Sequence, residues 1–220
     1  MRPLVIFGAG EFAEVVHYYF TRDQQRKVVA FAVDEEYLRE SSLCGLPTVS
    51  LSDALRRFPP TECEGFVAIG YSGLNKIRVR KSNELETHNY SLASFIHSRA
   101  VVWDGFKLEP NSFILEHNTL QPFTRVGRDV VIWSGNHIGH HSVIESGCFI
   151  TSHVVIAGGV TIGRETFIGI NSTVRDHVSV GARNIIGAGS IILADTADES
   201  VFSVPQSERS RVPSSRVRHI

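Results

Sequence analysis

Three histidines crowd into five positions of the stretch "GNHIGHHSVI": His137, His140 and His141. Imidazole at neutral pH can bind a metal ion, move a proton or simply meet solvent. Each use needs different company. A general base needs a substrate proton within hydrogen-bond reach and a group that orients its ring, whereas a zinc site needs three or four converging ligands. The cysteines, Cys44, Cys63 and Cys148, lie far apart without CxxC spacing, which suggests neither a thiolate zinc site nor a disulfide framework. A second chemical signal is the turn "GAGEFA" after an apolar run. Its Gly8 and Gly10 let backbone approach a phosphate at a helix N-terminus, with Glu11 and Phe12 opening that helix.

The elements that must position the histidines follow from a six-residue period. Counting in sixes from Ile96 to Ile192 gives seventeen positions, all Ile, Leu or Val. One obligatory aliphatic per hexad means a short flat strand and a bend, so three hexads make an 18-residue triangular coil. Residues i and i+18 then stack, and parallel strands about 4.8 Å apart give a prism on the order of 27 Å tall. In that register Ile138 points inward, Gly139 opens a corner, and His140 and His141 occupy it. His137 lies on a flat outer side. Gly158, 18 residues after His140, stacks against it and leaves a backbone N–H accessible to a carbonyl oxygen. Asn118 and Asn136 fall at one inward position, as a ladder of amides. His117 and His153 are two coils apart, roughly 9.6 Å by the strand spacing, too far to share an ion.

Residues 1–95 read as alternating strands and helices: "PLVIF", the glycine turn with its helix, "KVVAFAVD", "LPTVS", "LSDALRRF", "GFVAIG", a basic helix "NKIRVRKSNELET" and "SLASFI". This is a small parallel α/β, Rossmann-like domain. Asp34 ends the second strand, where a ribose-binding acid sits, and Gly70 and Tyr71 follow a later strand at the same crevice. Fewer than 100 residues leave no second nucleotide half, which favours a mononucleotide or nucleotide sugar over a dinucleotide. Residues 193–220 lose the register and read as an irregular tail whose Arg209, Arg211, Arg216 and Arg218 are candidates for phosphate contacts or a solvated end.

Composition sets the remaining bounds. The 220 residues are 42% hydrophobic and 20% charged, with a formal net charge of -1, a balance that gives no general attraction to nucleic acid or anionic membrane. No stretch approaches a membrane span of roughly 18 apolar residues, and no signal-peptide pattern opens the chain, so a cytoplasmic location is expected. Trp133, Val143, Val155 and Phe167 face outward on the repeat, more apolar surface than a lone prism leaves in water.

The phrase "VIFGAGEFAEVV", the strand "FVAIGY" and the hexads together resemble the sialic acid O-acetyltransferase/bacillosamine N-acetyltransferase family of sugar acyltransferases, over residues 1 to about 195. The resemblance implies a left-handed parallel β-helix over residues 96–192, a homotrimer, acetyl-coenzyme A as cosubstrate (the acyl group itself left open), no metal, and a nucleotide-linked or free sugar as acceptor. It implies that His140 is the general base and that Gly158 supplies the oxyanion contact. The acid that follows the family's base is replaced by His141, and its task falls to Glu116, Glu145, a neighbouring subunit or nothing. The family often has a second histidine nine residues after its base, where this chain has Phe149, an apolar candidate for the coenzyme. Gly169, Ile170 and Gly187 on later coils are further coenzyme candidates. Two other readings stay open: a non-catalytic sugar- or nucleotide-binding trimer, and a zinc enzyme of the γ-carbonic anhydrase type, although that family's ligand pair five residues apart has no counterpart in the repeats.

Overall fold

A computed structural model describes residues 1–209 and 211–216. The N-terminal domain runs β1 (Leu4–Phe7), α1 (Glu11–Arg22), β2 (Val28–Val33), β3 (Ser42–Leu43), β4 (Leu46–Ser50), α2 (Leu51–Arg57), β5 (Glu64–Val67) and α3 (Lys76–Thr87). Sheet order is β3-β4-β2-β1-β5, all parallel except the short β3. The chain builds outward from β1 through β2 to β4 and then returns to β1's other side with β5. That reversal opens a crevice at the strand ends. β1 is buried along its whole length, as a strand covered on both faces must be. α1 buries Ala13, Val16 and Phe20, the stripe of a helix lying on the sheet. Ser50 starts α2 by accepting a hydrogen bond from Asp53 N at 3.1 Å.

The repeats form a three-sided parallel prism. Its first side carries seven two-residue strands, from Phe95–Ile96 to Val201–Phe202, its second side six, from Val101–Val102 to Ile191–Ile192, and its third side four, from Arg125–Val126 to Ser179–Val180. Partners are 18 residues apart, as in His137 with Val155 and Phe149 with Phe167. The inward aliphatics from Ile114 to Ile192 are buried in one column. Small residues satisfy the corners from inside: Ser142 Oγ donates to Ala157 O at 2.9 Å and accepts from Val160 N at 3.2 Å. The asparagine ladder is present. Asn136 Nδ2 donates to Asn118 Oδ1 at 2.9 Å, and Asn136 Oδ1 accepts from Val154 N at 2.6 Å, leaving no buried amide of that pair idle.

The tail departs from expectation. Val201–Phe202 pairs with Ile185–Ile186 at an offset of 16 residues instead of 18, so the prism continues past Ile192 although the hexad count stops. Two missing residues hide the strand from a periodicity search. Asp195 and Asp198 take over as caps, accepting from Ser179 N and Ala182 N at 2.8 Å each. Ser214–Arg216 forms a single 3₁₀ turn. Arg218 lies outside the described residues.

The two domains are joined by an aromatic layer and a polar network centred on one buried arginine. Phe12 packs edge-on to Phe113 and Phe149, and Tyr71 lies against Phe149 and Phe167. Trp133 and Phe167, expected to face outward for other subunits, therefore belong to this chain's own domain junction. Arg78 of α3 is fully buried. Its guanidinium donates to Gly70 O at 2.8 Å in the N-terminal domain, and to Asp129 O at 3.1 Å and Gly147 O at 2.9 Å in the prism. Burial brings its pKa down to about 10, with Asp129 opposing the shift. Beside it Asn111 joins Asp129 (2.8 Å) to Val67 N (2.7 Å), and Ser82 donates to the Asp129 carboxylate.

Candidate active site

The second-to-third corner of the prism lies away from the N-terminal domain and carries His140 and His141, both exposed. His141 has a left-handed backbone, φ 59°, and its ring lies 4.7 Å from that of Phe123, which in turn meets Trp103 at 5.7 Å. This aromatic stack holds one face of His141. The two imidazoles meet through their Nδ1 atoms at 3.1 Å, so one donates and the other accepts. Glu116 and Glu145, expected alternatives for orienting His140, are engaged elsewhere. Glu116 accepts from Ser134 Oγ at 2.9 Å, and Glu145 accepts from Arg164 N at 2.9 Å.

Gly158 stands directly against His140. A Cβ built on it would lie 2.7 Å from both Nε2 and Cε1 of that ring. Its N–H has no acceptor among the described residues, and the cause is local. At such corners a side chain 19 residues earlier caps the amide, as Gln121 Oε1 does for His140 N at 3.0 Å and Glu145 Oε2 does for Arg164 N. For Gly158 that residue is Gly139, which has no side chain and whose built Cβ would lie 2.5 Å from the Gly158 nitrogen. Two glycines thus expose one amide beside one imidazole. His137 lies on the second side, half-buried, between Thr119 and Val155.

Sequence reasoning missed His177. Its Nδ1 would be 2.5 Å from a Cβ on Gly159, so its ring folds across the same glycine gap from the next coil. The signal was available, since His141, Gly159 and His177 form one column at 18-residue steps.

The coenzyme candidates are not all brought to this corner. Phe149 is on the first side, buried among Phe12, Tyr71 and Phe167. Its ring is committed to packing the domain junction, because an outward residue of that side faces the N-terminal domain. Gly169, Ile170 and Gly187 lie on the first-to-second corner, another edge of the same protomer. Ile170 is exposed, while Gly169 and Gly187 are held close by Ala188 N and Phe202 O.

The N-terminal crevice is a cavity of about 330 Å³ lined by Gly8, Ala9, Asp34, Tyr37, Ser72, Arg80 and Lys81, among others. Gly8 has φ 134°, and a Cβ there would lie 2.5 Å from Ala68 O, so only glycine fits. Gly10 precedes the first turn of α1 and has open space around it. Glu11 is exposed in that first turn. Asp34 is paired with Lys81 at 2.6 Å, and Lys81 also donates to Glu84 at 2.7 Å. Burial would lower the ammonium's pKa, but these hydrogen bonds and charges outweigh it and hold Lys81 above its ordinary value. Arg80 and Lys81 are cationic members of the crevice that sequence reasoning missed, since a helix rich in basic residues does not show which turn meets the strand ends. Phe12, expected in the crevice, points instead into the aromatic junction, and Gly70 serves Arg78 through its carbonyl. Tyr71, also expected there, does not line the cavity, and its ring lies against Phe149 and Phe167 of the prism. An open depression of about 720 Å³ on the third side, lined by Trp103, Lys107, Arg125, Val143 and Arg164 among others, was likewise not anticipated.

An α/β domain with a strand-end crevice, packed against a prism of hexads with an imidazole beside a bare amide, defines a two-domain hexapeptide-repeat protein. Comparison with known proteins agrees on both halves. Residues 3–85 match the PglD N-terminal domain, and residues 123–158 and 159–194 match the bacterial transferase hexapeptide (six repeats). The fold is similar to perosamine N-acetyltransferase from Caulobacter crescentus, solved with CoA and GDP-perosamine, at 26% identity and TM-score 0.81 over 90% of this chain and 92% of that one. It is also similar to the acetyltransferase domain of PglB from Neisseria gonorrhoeae FA1090, at 21% identity and TM-score 0.80 over 91% and 96%. WeeI from Acinetobacter baumannii AYE matches at 18% identity and TM-score 0.58 over 91% and 96%. In both halves the chain is similar to PglD-like sugar acetyltransferases, and its fold is theirs, a Rossmann-like domain followed by a left-handed β-helix.

Proposed function

We propose that this protein moves an acetyl group from acetyl-coenzyme A to an amine of a nucleotide-linked sugar, with His140 as general base. The observation that carries this reading is the contact between the His140 imidazole and Gly158, whose N–H has no acceptor among the described residues. An uncapped amide beside a base is what acyl transfer requires, because negative charge develops on the thioester oxygen as the nucleophile's proton leaves. His140 Nε2 accepts that proton, and the Gly158 N–H donates to the oxyanion. The likeness to an N-acetyltransferase solved with CoA and GDP-perosamine favours an amine over a hydroxyl.

The crevice holds the nucleotide end of the acceptor. Gly8 allows close backbone approach, the first turn of α1 offers N–H groups to a phosphate, and Arg80 and Lys81 add positive charge. Arg78 fixes this crevice to the prism, so the binding energy of the nucleotide can orient a sugar some distance away. Within one protomer the crevice side and the His140 corner face different ways, which supports a trimer as the working unit, one subunit's crevice serving another's corner. Both cosubstrates belong to the cytoplasm, and the product would serve surface glycan synthesis. Among the described residues no helix is long and apolar enough to cross a membrane.

The test is mass spectrometry of products after incubation with acetyl-coenzyme A and a panel of nucleotide-linked amino sugars. A gain of one acetyl group on one of them, absent with His140→Ala, is expected. Acetylation that survives His140→Ala unchanged would remove the base assignment.

A further inference from the structure

The pairing of the two imidazoles carries a consequence for which nitrogen of His140 can act. Their Nδ1 atoms are 3.1 Å apart, and a hydrogen bond at that distance contains one proton. If it sat on His141, His140 would accept it, and the neutral His140 ring would keep its own proton on Nε2. The nitrogen against Gly158 would then be a donor with no lone pair to give. If it sits on His140, Nε2 is free to accept a substrate proton.

We propose that His141 is a positioning residue that locks His140 into the Nδ1–H tautomer by accepting its hydrogen bond, a task done without any carboxylate. This rests on the acyl-transfer reading above. Three features of the chain prepare His141 for it: the left-handed backbone turns its ring back toward His140, Phe123 packs against that ring, and Gln121 fixes the His140 main chain. During transfer the acceptor nitrogen bonds to the acetyl carbon while its proton passes to His140 Nε2. The tetrahedral adduct collapses with cleavage of the carbon–sulfur bond, the electron pair going to sulfur, and Nε2 returns the proton to the thiolate. The Nδ1 proton stays between the histidines throughout. Because the acceptor is neutral, no resident negative charge balances the imidazolium, and His141 contributes geometry more than charge.

The variants can be chosen to spare the fold, since glycine, asparagine and aspartate all tolerate φ near 59°. In the full-length protein, His141→Gly removes the acceptor and should lower kcat by about 10- to 100-fold, part of the assistance a general base provides, with KM for acetyl-coenzyme A unchanged. His141→Asp, an obligate acceptor, should restore kcat to at least the wild-type value, with His141→Asn in between. In the wild type, ¹⁵N shifts of the imidazoles should show the proton of His140 on Nδ1 and that of His141 on Nε2. Wild-type kcat in His141→Gly, failure of His141→Asp to exceed His141→Gly, or a His140 proton on Nε2 would each overturn the proposal. If instead the wild type itself transferred no acetyl group to any acceptor, the acyl-transfer reading would fall while the tautomer measurement still decided the pairing.

Discussion

Gly158 has its place because His140 needs the space: a Cβ at 158 would lie 2.7 Å from the imidazole Nε2. The backbone there has no positive φ, so alanine is conformationally allowed and only the contact opposes it. Gly158→Ala should fold, melt within a few degrees of the wild type, and lose on the order of 10²-fold in kcat, the scale of a misaligned oxyanion donor. Steady-state kinetics beside a thermal melt checks this, and wild-type kcat in that variant would show that the contact is incidental.

Arg78 holds the crevice to the prism through carbonyls from both domains. Arg78→Met keeps the volume of the stem and leaves those carbonyls unsatisfied in the interior, at a cost of about 3 kcal/mol or more. Urea unfolding should show the loss. Hydrogen exchange should rise in α3 and around Gly147 and Cys148, and exchange that changed only in α3 would argue against a clamp.

The second side presents Val101, Val155 and Ile191 at 63, 44 and 68% exposure, on one face with His137. With Trp133 and Phe167 partly covered by the chain's own N-terminal domain, this side is an apolar surface suited to association. Light scattering should return a trimer for the wild type and smaller species for the double variant Val155→Glu, Ile191→Glu. A trimer unaffected by both charges would move the interface elsewhere.

A cluster beneath α1 predicts acid sensitivity. Burial would raise the Asp23 carboxyl, but hydrogen bonds from Ser98 and the nearby His97 charge outweigh it and hold it below its ordinary value. Glu116 is likewise held low against burial, by hydrogen bonds from the backbone, Ser134 and Tyr19, and burial followed by Glu116 pushes the Tyr19 hydroxyl up to about 12. A carboxylate depressed in the folded state stabilises it above the unfolded value and loses that contribution as pH falls through the folded one. Melting temperature should therefore drop as pH falls below about 5, where unfolded carboxylates begin to protonate. The variant Asp23→Asn with Glu116→Gln should show a shallower drop, and an equally steep one would place the acid sensitivity elsewhere.

The prism was legible because each hexad needs one buried aliphatic at a fixed place, and a requirement repeated seventeen times survives any variation around it. His140 and Gly158 were legible for the same reason, since stacking at 18 residues is a property of the register. The domain junction was not. Phe149 and Phe167 occupy outward positions that look the same in sequence whether water, another subunit or an α/β domain covers them. Phe12 was placed in the crevice by its neighbours in "GAGEFA", yet one residue into a helix is a rotation of about 100°, enough to turn it to the prism. The strand at Val201–Phe202 was lost to a two-residue change of spacing, which a strict count cannot follow.

The proposed role of His140 is to remove the proton of an amine on a nucleotide-linked sugar while Gly158 receives the thioester oxygen. Its most direct test is rapid-quench, single-turnover transfer of labelled acetyl from acetyl-coenzyme A to the acceptor identified by mass spectrometry, comparing wild type with His140→Ala at saturating ligands. His140→Ala should bind both ligands with affinities near those of the wild type and transfer the label about 10²- to 10⁴-fold more slowly. An equal single-turnover rate in the two proteins would contradict it.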